Sequence, residues 1–175
     1  QDWQALECAA EICKRDHDIV LTALGKSWSA LDLAAGSCRS DREFIVKAIR
    51  QREQNCQTLV WVADKLLEDA SFAPHLASEL SGSHRILKIS LMSGRHALLA
   101  CNVLKHIVTE DVLLKCNTDL SLTIPHRAEL VAHGCDVVPA TALVQDWPGM
   151  QPCGVVTEYQ LVMLTVTQSD TRVLK

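Results

Sequence analysis

Cysteine and histidine are the residues of this chain that could carry chemistry, since its 175 residues include eight Cys and seven His. His126 and His133 are seven residues apart, so on one helix they would share a face. Cys135 and Cys153 would complete a set of four ligands that suits zinc. The sequence has no Cys-x-x-Cys pair and no His-x-x-x-His pair, the spacings that support a zinc site. The four residues are candidate metal ligands without a motif, and we expect no bound cofactor.

His133 and Cys135 also raise the question of nucleophilic catalysis, because a neighbouring His can activate a thiol. They flank Gly134 at the end of a predicted helix, where a capping His beside a structural Cys explains the same residues. No cysteine lies in a recognisable nucleophile motif. We therefore expect no catalytic residue and a protein that is not an enzyme. A thiol-redox or metal-binding protein that uses its Cys and His residues is the competing interpretation.

The even number of cysteines invites a disulfide interpretation. Cys135 and Cys153 are the best candidates for a bridge, because both lie in a turn-rich segment. Most of the other cysteines fall at apolar positions of the repeat described below, where a reduced Cys packs as a small hydrophobic residue.

The charge pattern does not favour nucleic acid as a partner. The formal net charge is −4, from 17 basic and 21 acidic residues, so the chain lacks a basic footprint. Lys47, Arg50 and Arg52 lie at a predicted helix end, where positive side chains complement the helix dipole. "SGSHR" at Ser81–Arg85 could offer amides to an anion at a helix start, but a turn there is ordinary.

Two stretches near the start of the chain repeat at an offset of 25 residues, and this repeat would position the side chains. "WQALECAAEICKRDHDIVLTAL" is followed by "WSALDLAAGSCRSDREFIVKAI". The matched pairs are Trp3 and Trp28, Ala5 and Ala30, Leu6 and Leu31, Ala9 and Ala34, Cys13 and Cys38, Asp16 and Asp41, Val20 and Ile45, and Ala23 and Ala48. A fixed period of this length indicates a repeat architecture.

Each unit is predicted to be two short helices, with a Gly stop at Gly25 and at Gly36. Ser40 and Glu43 have capping-box spacing at the start of a second helix. In the third unit, Leu67 takes the position of Cys38, and Pro74 is expected to break or shorten the helix. "SHRILKISLMSGRHALLACNVL" and "TEDVLLKC" are assigned to further helices, which makes about four units over residues 3–116.

The remaining segments differ in character. Residues 117–134 are predicted to be an additional helix between Pro125 and Gly134. Residues 135–154 are a loop rich in Pro and Gly, and residues 155–175 favour strands in a small β-hairpin. The expected fold is therefore mainly α: an array of short antiparallel helix pairs over residues 1–116, with a C-terminal loop and a hairpin extension.

The units resemble the helical repeat family known as domain of unknown function 4116. "SALDLAAGSCRSDREFIVKAI" is the closest copy, with "DREF" at Asp41–Phe44 nearly verbatim, and the first unit is a good second. The usual aromatic position holds Cys8, Leu33 and Val62 instead. The resemblance implies stacked short helices without an established activity. It also implies a protist origin, since such arrays abound in dinoflagellate proteins, and they sometimes stand beside ubiquitin-like segments.

Stacked units hide their apolar stripes from water and leave an extended binding surface. The expected function is a scaffold, linker or accessory subunit whose partners are other protein subunits of a larger complex. A photosynthetic supercomplex in the plastid of a dinoflagellate-like protist is the most specific expectation. Partner contacts are expected at four residues of the loop and strands: Trp147, Tyr159, Leu161 and Met163. These strands would form an attachment arm that adds to a partner's sheet edge, so deleting residues 140–175 would leave the array folded.

A second alternative is an adaptor fragment with a partial ubiquitin-like segment, because "YQLVMLTVTQSDTRVLK" looks like the first hairpin of one. The chain starts with Gln1, which we interpret as a processed terminus or the end of a fragment. The expected location is intracellular, in a plastid if a leader was removed. No run of 18 apolar residues predicts a transmembrane helix, and a peripheral place on a membrane complex stays open.

Overall fold

A computed structural model describes residues 3–51, 56–59, 62–91, 96–107, 109–119, 128–131, 137–138, 141–142, 144–146, 150–151 and 154–163. Its α-helices are α1 Glu11–Arg15, α2 His17–Leu24, α3 Ala30–Leu33, α4 Gly36–Arg39, α5 Arg42–Gln51, α6 Asp64–Leu67, α7 Phe72–Glu79 and α8 Thr109–Asp119. Its strands are β1 Cys56–Thr58, β2 His84–Leu91, β3 His96–Asn102, β4 Ala128–Val131, β5 Val137–Val138 and β6 Thr157–Met163. Two 3-10 helices span Trp3–Leu6 and Val144–Asp146.

The prediction of a mainly α fold is wrong, because the described residues form a mixed α/β structure with one six-stranded sheet. The strand order is β1-β3-β2-β6-β4-β5. The segment predicted as a further helix pair, residues 84–102, forms the antiparallel strands β2 and β3. Its alternate residues are buried on both faces of the sheet, so the sequence is apolar almost throughout and lacks a clear period of two.

The two faces of the sheet bury different partners. Ile86 and Leu98 face the helices of residues 3–80 and belong to one hydrophobic core. Leu87, Leu99 and Tyr159 face the other way and form a second core with Val112 and Cys116 of α8. Because side chains alternate along a strand, each pair of opposite residues serves one core at a time. The sheet therefore lies between the helical array and α8.

The C-terminal predictions also need correction. The additional helix expected over residues 117–134 is not the structure of residues 128–131, because Ala128–Val131 is strand β4 and α8 ends at Asp119. The loop over residues 135–154 includes β5 and the second 3-10 helix. A strand is present at Thr157–Met163, but it pairs with β2 in parallel and with β4 antiparallel. The predicted turn and return strand of the hairpin lie outside the described residues.

The order of elements after residue 83 is two strands, a helix, two strands, a 3-10 helix and a last strand. The last strand, β6, lies between β2 and β4 at the centre of the sheet. This order of elements and strands is that of the ubiquitin-like fold. The ubiquitin-like segment therefore begins near β2, and "YQLVM" is its last strand rather than its first hairpin. The predicted attachment arm is wrong for the same reason, since both edges of β6 are paired within the chain.

Helical repeat units are present over residues 3–80, and three of them can be superimposed by hydrogen bonds. The first helical turn after Ala10, Ala35 and Ala63 closes in the same way in each unit, with amides of Cys13, Cys38 and Leu66 donating back to these carbonyls. The third unit is thus offset from the second by 28 residues. Leu66, rather than Leu67, takes the buried position of Cys38.

Three local predictions in the array are wrong. Asp41, not Ser40, accepts the free amide of Phe44 at the start of α5 (3.1 Å), while the Ser40 hydroxyl donates to the Gly36 carbonyl. Gly36 begins α4 instead of ending a helix. Pro74 lies in the first turn of the intact α7, where the amide that Pro lacks would have had no helical partner.

Candidate functional site

An aspartate stands before the second helix of each unit and orders its first turn. The Asp16 carboxylate accepts from the amides of Asp18 and Ile19 at 2.9 and 3.1 Å. Asp41 does the same for Phe44, and Asp69 accepts from the amide of Ser71 at 2.9 Å. Aspartate satisfies amides that have no partner within the helix, so it favours a helix start at this point. Each unit therefore places an anionic group at one fixed position.

The units are joined by one hydrogen bond that recurs at equivalent residues. The Ala35 amide donates to the carbonyl of Lys14 at the end of α1 (2.9 Å). The Ala63 amide donates to the carbonyl of Arg39 at the end of α4 (3.0 Å). These bonds use a donor and an acceptor that a lone unit would leave to water. The stacking register is therefore fixed by the backbone as well as by apolar contacts.

A second recurring contact links the aspartates. His17 Nε2 lies 3.9 Å from Asp41 Oδ2, and Arg42 forms an ion pair with Asp69. In both cases the residue after one capping Asp reaches the capping Asp of the next unit. The Arg42 guanidinium and the Ser71 donors lower the pKa of Asp69, with the Ser71 hydroxyl the largest cause. The array thus carries a line of alternating cations and carboxylates across its unit boundaries.

We expect Asp41→Ala to lower the free energy of unfolding by about 1 kcal/mol, the usual cost of losing a helix N-cap. Asp41→Asn should restore most of this loss, because an Asn oxygen also accepts from the Phe44 amide. Urea denaturation of the two variants measures the difference. Equal losses in both variants would show that the charge opposite His17, rather than the cap, is what Asp41 contributes.

An open apolar groove of about 480 Å³ lies on the first unit, at the end of the array. Its apolar lining includes Trp3, Leu6, Ala9, Cys13, Ile19 and Ala23. Ile19 is 43% exposed, which is unusual for an Ile beside a packed core. The other end of the array is closed, because α7 packs on the sheet through β2. The array therefore has one bare end.

The described cysteines do not form a reactive centre. Cys38, Cys101 and Cys116 are buried free thiols, Cys13 is half-buried and Cys8 is exposed. Cys38 Sγ donates to the carbonyls of Lys14 and Arg15, both at 3.6 Å. Burial, the largest cause, raises the pKa of Cys38. A raised pKa and burial both suppress the thiolate, which is the nucleophilic form.

We expect Cys8 to react with iodoacetamide at pH 7.5 at least ten times faster than Cys38 does in the native protein. Peptide-resolved alkylation followed by mass spectrometry measures both rates in one sample. Unfolding in urea should bring the two rates close together. A fast-reacting Cys38, Cys101 or Cys116 in the native protein would instead support the thiol-redox alternative.

His84 is a buried titratable group at the beginning of β2. Its Nδ1 lies 2.9 Å from the Ser83 hydroxyl, and burial lowers the pKa of the ring below 6.5. A helix does not begin here, so the Ser81–Arg85 turn lacks the helix amides proposed for anion binding.

The lowered pKa of His84 predicts a loss of stability in mild acid. The unfolded chain binds a proton at His84 near pH 6.5, and the folded chain binds it only at lower pH. Stability is therefore fully present above pH 6.5 and falls as the pH drops toward the folded pKa. We expect the unfolding free energy of wild type to fall more steeply from pH 7 to pH 5 than that of His84→Gln. Parallel pH profiles in urea denaturation would contradict this assignment.

Most of the side chains predicted as sites are not brought together by the described structure. Tyr159 is 3% exposed in the second core, which raises its pKa to about 12. It is therefore a core residue rather than a docking residue. Leu161 and Met163 lie in β6, and their side chains are outside the description. The other predicted site residues lie outside the described residues: His126, His133, Cys135, Trp147 and Cys153.

The described part of the chain also offers little to a metal or a small substrate. It contains no group of three or more His, Cys, Asp or Glu side chains placed to hold a metal ion. A hollow beside Arg85, Lys105 and His106 has a volume of about 30 Å³, which is the space of one water molecule. Arg50, one of the basic residues considered above, pairs with Glu79 at 3.2 Å.

No helix among the described residues is both long and apolar enough to span a membrane. Comparison of the chain with models of known protein families and with curated proteins finds no match.

Proposed function

We propose that this chain is a non-catalytic helical-repeat protein that serves as a scaffold or accessory subunit of a larger protein complex. The observation that carries the proposal is the open groove at one end of the array, beside Trp3 and Ile19. Apolar side chains at the bare end of a stack lose contact with water when another protein covers them. The closed end, packed on the sheet, gives the array a single direction for this contact.

The resemblance to domain of unknown function 4116 adds a finer form of this proposal. It suggests an accessory subunit in a dinoflagellate-like protist, and a plastid photosynthetic supercomplex as the assembly. This form depends on where such repeats occur and not on a pigment ligand or a site in the chain.

An adaptor that combines repeats with a ubiquitin-like segment is a second candidate, which the strand order of the sheet favours. A shared fold does not establish a shared function. A ubiquitin-type adaptor would bind its partner through the β2–β6 segment, and truncation of the array would leave that binding intact.

The scaffold proposal is tested by the native mass of the tagged chain in a lysate of its source cells. We expect it in an assembly well above 19.3 kDa, the mass of the chain. Migration near 19.3 kDa would contradict the proposal.

Two matched substitutions locate the contact. Ile19→Glu puts a charge in the groove, whereas Ile12→Glu puts the same charge on the same unit outside the groove lining. Ile12 is 78% exposed, so both variants should fold. We expect only Ile19→Glu to leave the assembly, and equal behaviour of the two variants would place the contact elsewhere.

A further inference from the structure

The groove on the first unit corresponds, residue by residue, to a surface that is covered on the second unit. Adding 25 to its lining residues gives Trp28, Leu31, Ala34, Cys38, Phe44 and Ala48. All six of these are buried in the first core. Ile19 is exposed, whereas its equivalent Phe44 is 3% exposed. The difference arises because α2 and the first 3-10 helix pack on α3 and α5, and so cover the second unit.

The polar contacts at the same boundary show the same difference. The Ala35 and Ala63 amides each donate to a carbonyl of the preceding unit. The equivalent amide of Ala10 donates no hydrogen bond among the described residues. Asp41 and Asp69 each receive a cationic side chain from the preceding unit, but Asp16 has no ion pair within the described structure. The bare end therefore offers an apolar groove, an amide donor and a carboxylate in the register of the repeat.

We propose that this groove docks a helix pair of the same repeat type, presented by a partner polypeptide. The occupant supplies apolar side chains to the groove, a helix-terminal carbonyl to the Ala10 amide, and a Lys, Arg or His side chain to Asp16. This inference rests on the proposed scaffold function and names its partner by chemistry.

A second copy of this chain does not meet these requirements. The far face of its third unit, including Leu76 and Leu80, is buried against the sheet with Ile86. Two first units placed face to face would oppose amide to amide and Asp16 to Asp16, with like charges repelling. The occupant is therefore a different polypeptide with a free unit end.

The first experiment supplies a defined occupant, a second copy of residues 1–25 joined directly before Gln1 of the full chain. By the 25-residue offset this copy lies on the first unit as that unit lies on the second. Its own two cysteines are replaced by serine, so that alkylation reports Cys13 of the original unit. We expect Cys13 to be alkylated at least ten times more slowly than in wild type.

The matched control carries Asp in place of both Val20 and Leu24 in the appended copy. These residues are fully buried at the existing boundary, so their replacement should prevent stacking at the same chain length. Slow alkylation of Cys13 in the extended chain, but not in the control, supports the proposal. Equal rates in the extended chain and the control overturn it.

The second experiment compares native mass in the source lysate, because an appended unit that fills the groove excludes the partner. We expect wild type and the control in the large assembly, and the extended chain outside it. If the extended chain remains in the assembly, the groove proposal fails while the scaffold function stands. If wild type runs alone, the scaffold function fails and the partner fails with it. A wild-type species of twice the chain mass would make a second copy the occupant and overturn the proposal.

Discussion

Deletion of residues 140–175 is expected to destroy the cooperative fold of the sheet. The deletion removes β6, which pairs with β2 along Leu87–Leu91 and with β4 along Ala128–Val131. Without it, β4 and β5 lose their connection to the rest of the sheet, and the core around Tyr159 opens to water. Unpaired strand edges and exposed apolar surface promote aggregation. This result is the opposite of the one that an attachment arm predicts.

Near-ultraviolet circular dichroism and thermal unfolding measure this effect. The control is deletion of residues 164–175, which removes no described residue. We expect the shorter deletion to keep the wild-type transition and the longer one to lose it. A longer deletion that unfolds at the wild-type temperature would contradict the central position of β6.

Ile45→Ala is expected to lower the free energy of unfolding by about 2–5 kcal/mol, the usual cost of truncating a buried aliphatic side chain. Ile45 is 0% exposed and lies on α5, in the core that joins the second unit to its neighbours. A loss of this size is a large part of the total stability of a small domain.

Ile12→Ala is the matched control, because it makes the same chemical change at an exposed position of α1. Surface changes of this kind usually alter stability by less than about 0.5 kcal/mol. Urea denaturation at one pH measures both variants. Similar losses at the two positions would contradict the burial pattern of the array.

The first two units could be predicted from the sequence because their repeat is regular. The matched pairs Asp16 and Asp41, and Cys13 and Cys38, occupy equivalent places in the structure. The third unit was assigned with an error of one residue, since the segment between α5 and α6 is longer by three residues than its counterpart. Asp69 was missed for that reason, although an offset of 28 aligns it with Asp41.

The sheet could not be predicted by the same means. The residues of β2 and β3, such as Leu87, Leu98 and Leu99, are common in helices, and burial on both faces removes the alternation that marks a strand. Pairing with β6, more than 60 residues later in the chain, decides their conformation. Long-range contacts of this kind override local preference.

The candidate site was also hidden from sequence analysis. Attention falls on Cys, His and Trp because these residues carry chemistry, whereas the recurring bonds between units use the backbone of Ala35 and Ala63. Backbone groups leave no trace in residue type. The aspartates alone gave a visible sign, and their role in the contact between units depends on a three-dimensional neighbour.

Residue-resolved amide hydrogen exchange in the native protein tests the central claim most directly. The account is that residues 3–80 stack as three like units and that the first of them lacks a neighbour in the described structure. It predicts slow exchange at the Ala35 and Ala63 amides, which donate across unit boundaries, and fast exchange at the equivalent Ala10 amide. Fast exchange at Ala35 and Ala63, or protection of Ala10 equal to theirs, would contradict both the stacking and the open end.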